Sequence, residues 1–413
     1  MTAIADHIAA DGVELAGDGT VPVALPRSEE ELLAVLARAS AERARVVPTG
    51  GGTKLAWCRP EVAAGRADLL LSLRRLDAVV DYVPGDGTLT ARAGATMARL
   101  EERVAEGGHR LTPAVADADR ATLGGVLSSG ISGPDRTGLG PARHHVLGTR
   151  VALADGRVAR SGGRLVKNVS GFELHRLFAG SRGTLAVLLE ASMRLFPTPE
   201  HTVAVRARAR DGADLLARAE SLRLAPLTPL AAVVQGPANG TWHLDVVLAG
   251  RAAQVEDDLE TVRSIVGSAE VVEGAEAERR TTELAEREGS TAHGWPRARL
   301  VALPARLPGI VAHFTEAIAD RGGARIVAQP WVASVALFDP DLDPADERAR
   351  LMDWQAAAMA LGGRLDVVAV HPDTARALAP QEGAHPSLGW MERLRAKLDP
   401  QGCLRSPFFP TRS

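Results

Sequence analysis

"VVPTGGGTKLAW", residues 46–57, sets three consecutive glycines between a short apolar run and a Thr-Lys pair. Gly50, Gly51 and Gly52 carry no Cβ, so the chain there can take positive φ and bring its amides close to another group. Successive N–H groups in such a turn form a concave nest, which holds an anion without a charged side chain. A tight strand-to-helix connection would use the same residues. The rest of the chain has to choose between the two.

Upstream, Ser28 and Glu31 spell a capping box, and Leu32, Leu33, Val35 and Leu36 give a helical apolar stripe. "RVVP" (45–48) then reads as a buried strand, so the glycines follow a strand. Downstream come a strand in "DLLLSL" (68–73), an alternating strand over Thr88–Ala93, and a helix opened near Thr96 and closed by Gly107 and Gly108. Residues 122–196 are dense in glycine, and Asp155-Gly156 between two strand-like runs predicts a two-residue hairpin with a type I′ turn. After "FPTPE" (196–200) a new unit begins with "HTVAVRARAR". Residues 201–385 alternate strands and helices without a comparable glycine turn, which suits a cap over a site. "AEAERRTTELAEREGSTAH" (275–293) reads as a charged, solvated stretch, and "PSLGWMERLRAKLDP" (386–400) as a last amphipathic helix. The expected class is α+β in three pieces: 1–200, 201–385 and 386–413.

The 413 residues leave room for roughly two to three domains. A net charge of -3 offers no field to attract nucleic acid or an anionic membrane, so no nucleic-acid partner is expected. Two cysteines, Cys58 and Cys403, exclude a disulfide framework or an iron–sulfur cluster built from this chain alone. The histidines are scattered, without metal-ligand spacing, and no metal is expected. The N-terminus does not read as a secretory signal, and no stretch reaches about 18 apolar residues, so direct membrane insertion is not expected. The expected location is cytoplasmic, or at a membrane through partners.

Taken together, "VVPTGGGTKL", "TLGGVLSSGISGP", the segment from Leu139 to Pro197 and the terminal "RLRAKLDPQG" stand in the order and spacing of the vanillyl-alcohol-oxidase-type flavoproteins. Within them the chain looks most like the FAD-binding subunit of bacterial glycolate oxidase. The resemblance implies a two-subdomain PCMH-type FAD-binding domain with an α+β cap or substrate domain. In it Pro48, Thr49, Gly50, Gly51, Gly52, Thr53 and Lys54 cradle the FAD pyrophosphate. Leu123, Gly124 and Gly125 line the next turn, and Gly140 and Val146 lie along the nucleotide. Gly180, Ser181, Gly183, Thr184 and Leu185 form a second glycine turn, in which Ala186 replaces the usual last glycine. Thr53 stands where covalent relatives often carry histidine, which implies noncovalent FAD. Lys167 and Asn168 match a further family stretch, and Phe172 and Glu173 keep the shape of its usual Tyr and Asp.

The resemblance also implies oxidation of a small 2-hydroxy acid such as glycolate or D-lactate, beside a second flavoprotein subunit and an iron–sulfur subunit. That chemistry needs a hydride acceptor, a base for the hydroxyl proton and a cation for the carboxylate. His144 and His145 are candidates for handling the proton; two histidines in a surface turn are the plain alternative. Arg364 and Arg405 are candidates for the carboxylate, since the guanidinium fork pairs with it in bidentate fashion. Both stand where the family pattern differs, and solvated arginines are the plain alternative. A stand-alone oxidase of another alcohol and a noncatalytic FAD-holding subunit remain competing readings.

Overall fold

The computed structural model describes residues 3–16, 21–54, 67–164, 172–237, 239–289, 298–340, 342–368, 374 and 388–405. Cys58, Lys167 and Asn168 lie outside these.

Before residue 200 the chain builds two main sheets on one core. The first has the strand order Leu15–Ala16, Val23–Ala24, Leu69–Ser72, Val46–Thr49, with the last two pairings parallel. Helix Glu29–Ala41 covers it with Leu32, Val35, Leu36 and Ala39, which fall on one helical face and are all buried. Ser28 caps this helix by accepting the Glu31 N–H at 3.2 Å. The Glu31 carboxylate reaches back to the Arg27 N–H at 2.7 Å, one residue before the position a standard box would use. The second sheet is antiparallel, in the order Val79–Val83, Thr88–Arg92, Val187–Arg194, Val146–Ala152, Val158–Gly162. Glu29 ties the helix to it, pairing with Arg92 and with Arg150.

The hairpin between the last two strands differs from its expectation. Gly156 takes φ +83°, but Asp155 keeps an ordinary negative φ. Gly156 N–H donates to Leu153 O and Leu153 N–H to Arg157 O, which encloses three loop residues. One glycine in the left-handed region closes this longer loop, whereas a type I′ turn needs two such residues.

His201 opens an eight-stranded antiparallel sheet, ordered Glu270–Glu273, His201–Ala209, Trp242–Gly250, Ala231–Pro237, Arg325–Gln329, Ser334–Phe338, Ala298–Val301, Arg364–Val367. Helices Gly212–Leu224, Ala252–Val266, Leu307–Ala317 and Pro344–Ala360 bury one face of it, around Trp242, Phe314 and Trp354. The other face meets helix Ala275–Arg287 and Leu139 of the first unit. Over its own length that helix corrects the solvated reading of the stretch from 275: Ala277, Thr281, Leu284 and Ala285 share one buried face, and Arg280 is neutralised by Glu270 at 3.3 Å. High charge on one side of a helix concealed an apolar stripe on the other.

The terminal helix Leu388–Leu398 returns to the first unit, where Leu394 and Leu398 pack against its core and Cys403 and Leu404 enter it. Val46 N–H donates to Cys403 O at 2.8 Å and Arg405 N–H to Val46 O at 3.0 Å, which extends the first sheet by one short bridge. Among the described residues, no helix is long and apolar enough to cross a membrane.

Candidate functional site

The strand Val46–Thr49 lies in parallel register with Leu69–Ser72, and Leu73 N–H donates to Thr49 O at 2.9 Å. This ladder ends at Gly50, and the chain then leaves the sheet at its carboxyl edge, where open α/β sheets bind ligands. Pro48 through Lys54 line a cleft enclosing about 820 Å³, solvent at its mouth included. Among the described residues, the N–H groups of Gly50, Gly51 and Gly52 donate to no partner. Three consecutive free amides at a cavity wall suit an anion.

The triplet is glycine for reasons the sequence did not show. A Cβ on Gly50 would lie 1.9 Å from Thr122 Oγ1, and one on Gly51 only 1.7 Å from the Arg120 carbonyl oxygen. Both positions are cleared for close packing on the segment beneath, residues 120–122. Gly52 is the one that needs positive φ, at +76°. Thr53 is buried and Lys54 Nζ lies 3.4 Å from its hydroxyl.

Thr122 also starts the second wall. Its side chain caps helix Leu123–Ser129 by accepting Gly125 N–H at 3.3 Å, and Gly124, Gly125, Ser128 and Ser129 line the cleft. Gly124 is required by Ala93, whose Cβ would lie 2.7 Å from an added methyl group. Leu123 turns inward to the core. The third wall is Arg182, Gly183, Ala186, Val187 and Leu188. Arg182 holds φ +53°, unusual for a residue with a side chain, and its N–H donates to Ser128 O at 2.7 Å, stitching this turn to the second wall. Ala186 is 1 % exposed, so the methyl group that replaces the family glycine is accommodated in the core beside the cleft.

Of the other anticipated residues, Gly180 takes φ +84° and packs back to back with Gly130, while Ser181 O accepts from the Thr184 amide and hydroxyl. They shape the turn from behind, and Leu185 and Val146 lie in the core. Gly140 ends the short helix Arg136–Leu139 with φ +82°. His144 is exposed, and His145 is buried edge-on against Phe196, with ring centroids 5.0 Å apart. Burial pushes the His145 imidazole below its ordinary value. Arg364 is exposed and bound to the Asp366 carboxylate at 2.7 Å; Arg405 sits at the edge of the first sheet, behind the glycine strand. Phe172 is 90 % exposed. None of these last five lines the cleft.

Two features escaped the sequence. Lys54 is driven down to about 8, mainly by burial, with Asp117 and Glu286 opposing the shift and Arg299 and Arg120 adding to it. A cleft lysine thus senses an arginine of the eight-stranded sheet. Arg299 is half-buried, and in register it stands opposite Ala336 and Asp366. The same register places Gln329 and Ser334 on that face, and Glu288 accepts a hydrogen bond from Gln329. Burial lifts the Glu288 carboxyl to about 7 against the opposing effect of Arg299. No motif marks Arg299; only the strand register shows which face it takes.

Residues 22–162 match the family model described as "FAD binding domain". Over 243 residues the chain is 30 % identical to the glycolate oxidase subunit GlcE of Escherichia coli (strain K12), covering 59 % of this chain and 65 % of that protein. It is 32 % identical over 178 residues to the glycolate oxidase subunit GlcD of Bacillus subtilis (strain 168), covering 43 % of this chain and 37 % of that one. It is 34 % identical over 176 residues to a D-lactate dehydrogenase of Archaeoglobus fulgidus, covering 42 % and 38 %. The chain therefore spans less than two thirds of the length of each of these relatives. Among solved structures, the fold is similar to a xylooligosaccharide oxidase from Myceliophthora thermophila C1 in complex with xylobiose, with TM-score 0.74 over 100 % of both chains at 15 % identity. The free glycine amides, the flanking lysine and these likenesses agree: residues 22–162 are an FAD binding domain, in a chain similar over 243 residues to a glycolate oxidase subunit.

Proposed function

We propose that this chain holds FAD noncovalently and oxidises a small 2-hydroxy acid, glycolate or D-lactate, to the 2-oxo acid. It would act as one subunit beside a second flavoprotein and an iron–sulfur protein. The observation that carries the reading is the cleft itself, walled by both glycine turns. The names of the similar glycolate oxidase subunits and D-lactate dehydrogenase support the substrate class.

Bound FAD supplies the hydride acceptor. The chain's own residues would then do three things. The amides of Gly50, Gly51 and Gly52, with the Lys54 ammonium, hold the diphosphate. The apolar third wall of Ala186, Val187 and Leu188 would keep water from the bound cofactor. Arg299 would take the substrate carboxylate, since its register with Ala336 sets it on the sheet face that meets Leu139 of the first unit, while Arg364 and Arg405 are placed elsewhere. Noncovalent attachment is proposed because Thr53 stands where covalently flavinylated relatives often carry histidine.

The reading is tested by acid precipitation of the purified chain followed by a substrate panel. Flavin in the supernatant, with turnover of 2-hydroxy acids in preference to sugars, is the expected result. Flavin that stays with the precipitate would refute noncovalent attachment, and preference for an oligosaccharide would refute the substrate class.

A further inference from the structure

The floor under the glycine loop is held by a carboxylate from the other domain. Gly51 rests directly on the Arg120 carbonyl. Arg120 belongs to a turn in which the amides of Arg120 and Ala121 both donate to Asp117 O, at 2.9 and 2.7 Å. Asp117 itself takes φ +53°, in the left-handed region that aspartate tolerates better than most residues with a side chain. Its N–H donates to Glu286 Oε1 at 2.9 Å, across 169 positions of sequence. Glu286 stands in the last turn of helix Ala275–Arg287, whose apolar face is fixed on the eight-stranded sheet. The same carboxylate, with Asp117, favours the charged form of Lys54 at the end of the glycine loop.

We propose that Glu286 is a positioning residue for FAD: a carboxylate on helix Ala275–Arg287 that fixes the Asp117–Arg120 turn under the glycine loop. Cofactor binding and docking of helix Ala275–Arg287 are then thermodynamically linked, and each tightens the other by the same factor. The inference rests on the FAD binding domain of residues 22–162 and is independent of the hydroxy-acid substrate.

The pH dependence follows from Lys54. Its charged form is the one a diphosphate favours, so FAD affinity is flat below the free protein's value of about 8 and declines as pH rises past it. The groups that face this lysine are Asp117, Arg120, Glu286 and Arg299. Removing the Glu286 charge takes away one of the two anions that hold its value up, so the decline begins at lower pH.

The test measures FAD affinity by quenching of flavin fluorescence from pH 6 to 10, in the wild type, Glu286→Ala, Glu286→Gln and the exposed same-helix control Glu278→Gln. Glu286→Ala should bind FAD on the order of tenfold more weakly, the size of a lost hydrogen bond to a charged acceptor. Glu286→Gln keeps an acceptor oxygen and should recover part of this loss while retaining the earlier pH decline. Hydrogen exchange at the Asp117 amide should slow on FAD addition in the wild type and not in Glu286→Ala. Wild-type affinity with an unmoved pH profile in Glu286→Ala would overturn the proposal. If that variant does not fold, the Glu286→Gln profile decides alone: an unmoved pH decline overturns it.

Discussion

A methyl group added to Gly51 tests whether the triplet is glycine because of what lies beneath it. An ideal Cβ there falls 1.7 Å from the Arg120 carbonyl oxygen and 2.6 Å from its carbon. Non-bonded contacts of a Cβ essentially never fall below 3.0 Å, so the two segments must part by about 1.3 Å, the difference between 3.0 and 1.7 Å. Both partners are backbone, and no side chain can rotate away. Overpacking of this kind costs about 1–3 kcal/mol. If about 2 kcal/mol of it falls on the bound geometry, Gly51→Ala weakens FAD about thirtyfold, at about 1.4 kcal/mol per factor of ten. The assay is a fluorescence titration of the FAD-free protein, paired with thermal melts with and without FAD. Gly85→Ala is the control, because a Cβ there meets nothing within 4 Å. A Gly51→Ala protein that binds FAD within about twofold of wild type and melts unchanged would refute the packing argument.

Gly309 lies inside helix Leu307–Ala317 with open space around its missing Cβ, so Gly309→Ala should raise stability by about 0.5–1 kcal/mol in a denaturant titration. Burial raises the Glu288 carboxyl from 4.5 to about 7, so the folded chain holds that proton more tightly than the unfolded chain does. Its contribution is fully present below about pH 4.5 and is lost as pH rises through about 7; Glu288→Gln should remove this slope, on the order of 1–3 kcal/mol, from melts between those limits. Arg299→Met should lower kcat/KM for D-lactate on the order of tenfold to a hundredfold, the scale of a lost hydrogen bond to a charged group, with the flavin spectrum unchanged.

The sequence made the nucleotide half legible because glycine is a backbone signal: triplet, second turn and hairpin are each marked by a residue whose conformational range is visible in its name. The physical reason behind each glycine was less visible. Gly50, Gly51 and Gly124 are set by contacts with Thr122, Arg120 and Ala93, which lie some 30 to 70 positions away and meet only in the fold. Arg299 stayed hidden for a related reason, since the face a strand residue takes depends on register, which pairs it with Ala336 and Asp366. Arg364 drew notice by its position in a motif, yet its partner two residues on, Asp366, already satisfies it at the surface. The charged segment from 275 was misread because its four acids and three arginines within Ala275–Arg287 outnumber the few small and apolar residues that dock it. Arg182 carried a signal in retrospect, standing inside a glycine turn where backbone conformation outweighs side-chain preference.

The central claim is reached most directly by the visible spectrum of the purified chain, recorded before and after anaerobic addition of glycolate and then D-lactate. The account predicts flavin bands that bleach with a 2-hydroxy acid. Bands that persist with both acids would contradict the proposed substrate class, and a colourless protein that takes up no added FAD would contradict the cofactor site itself.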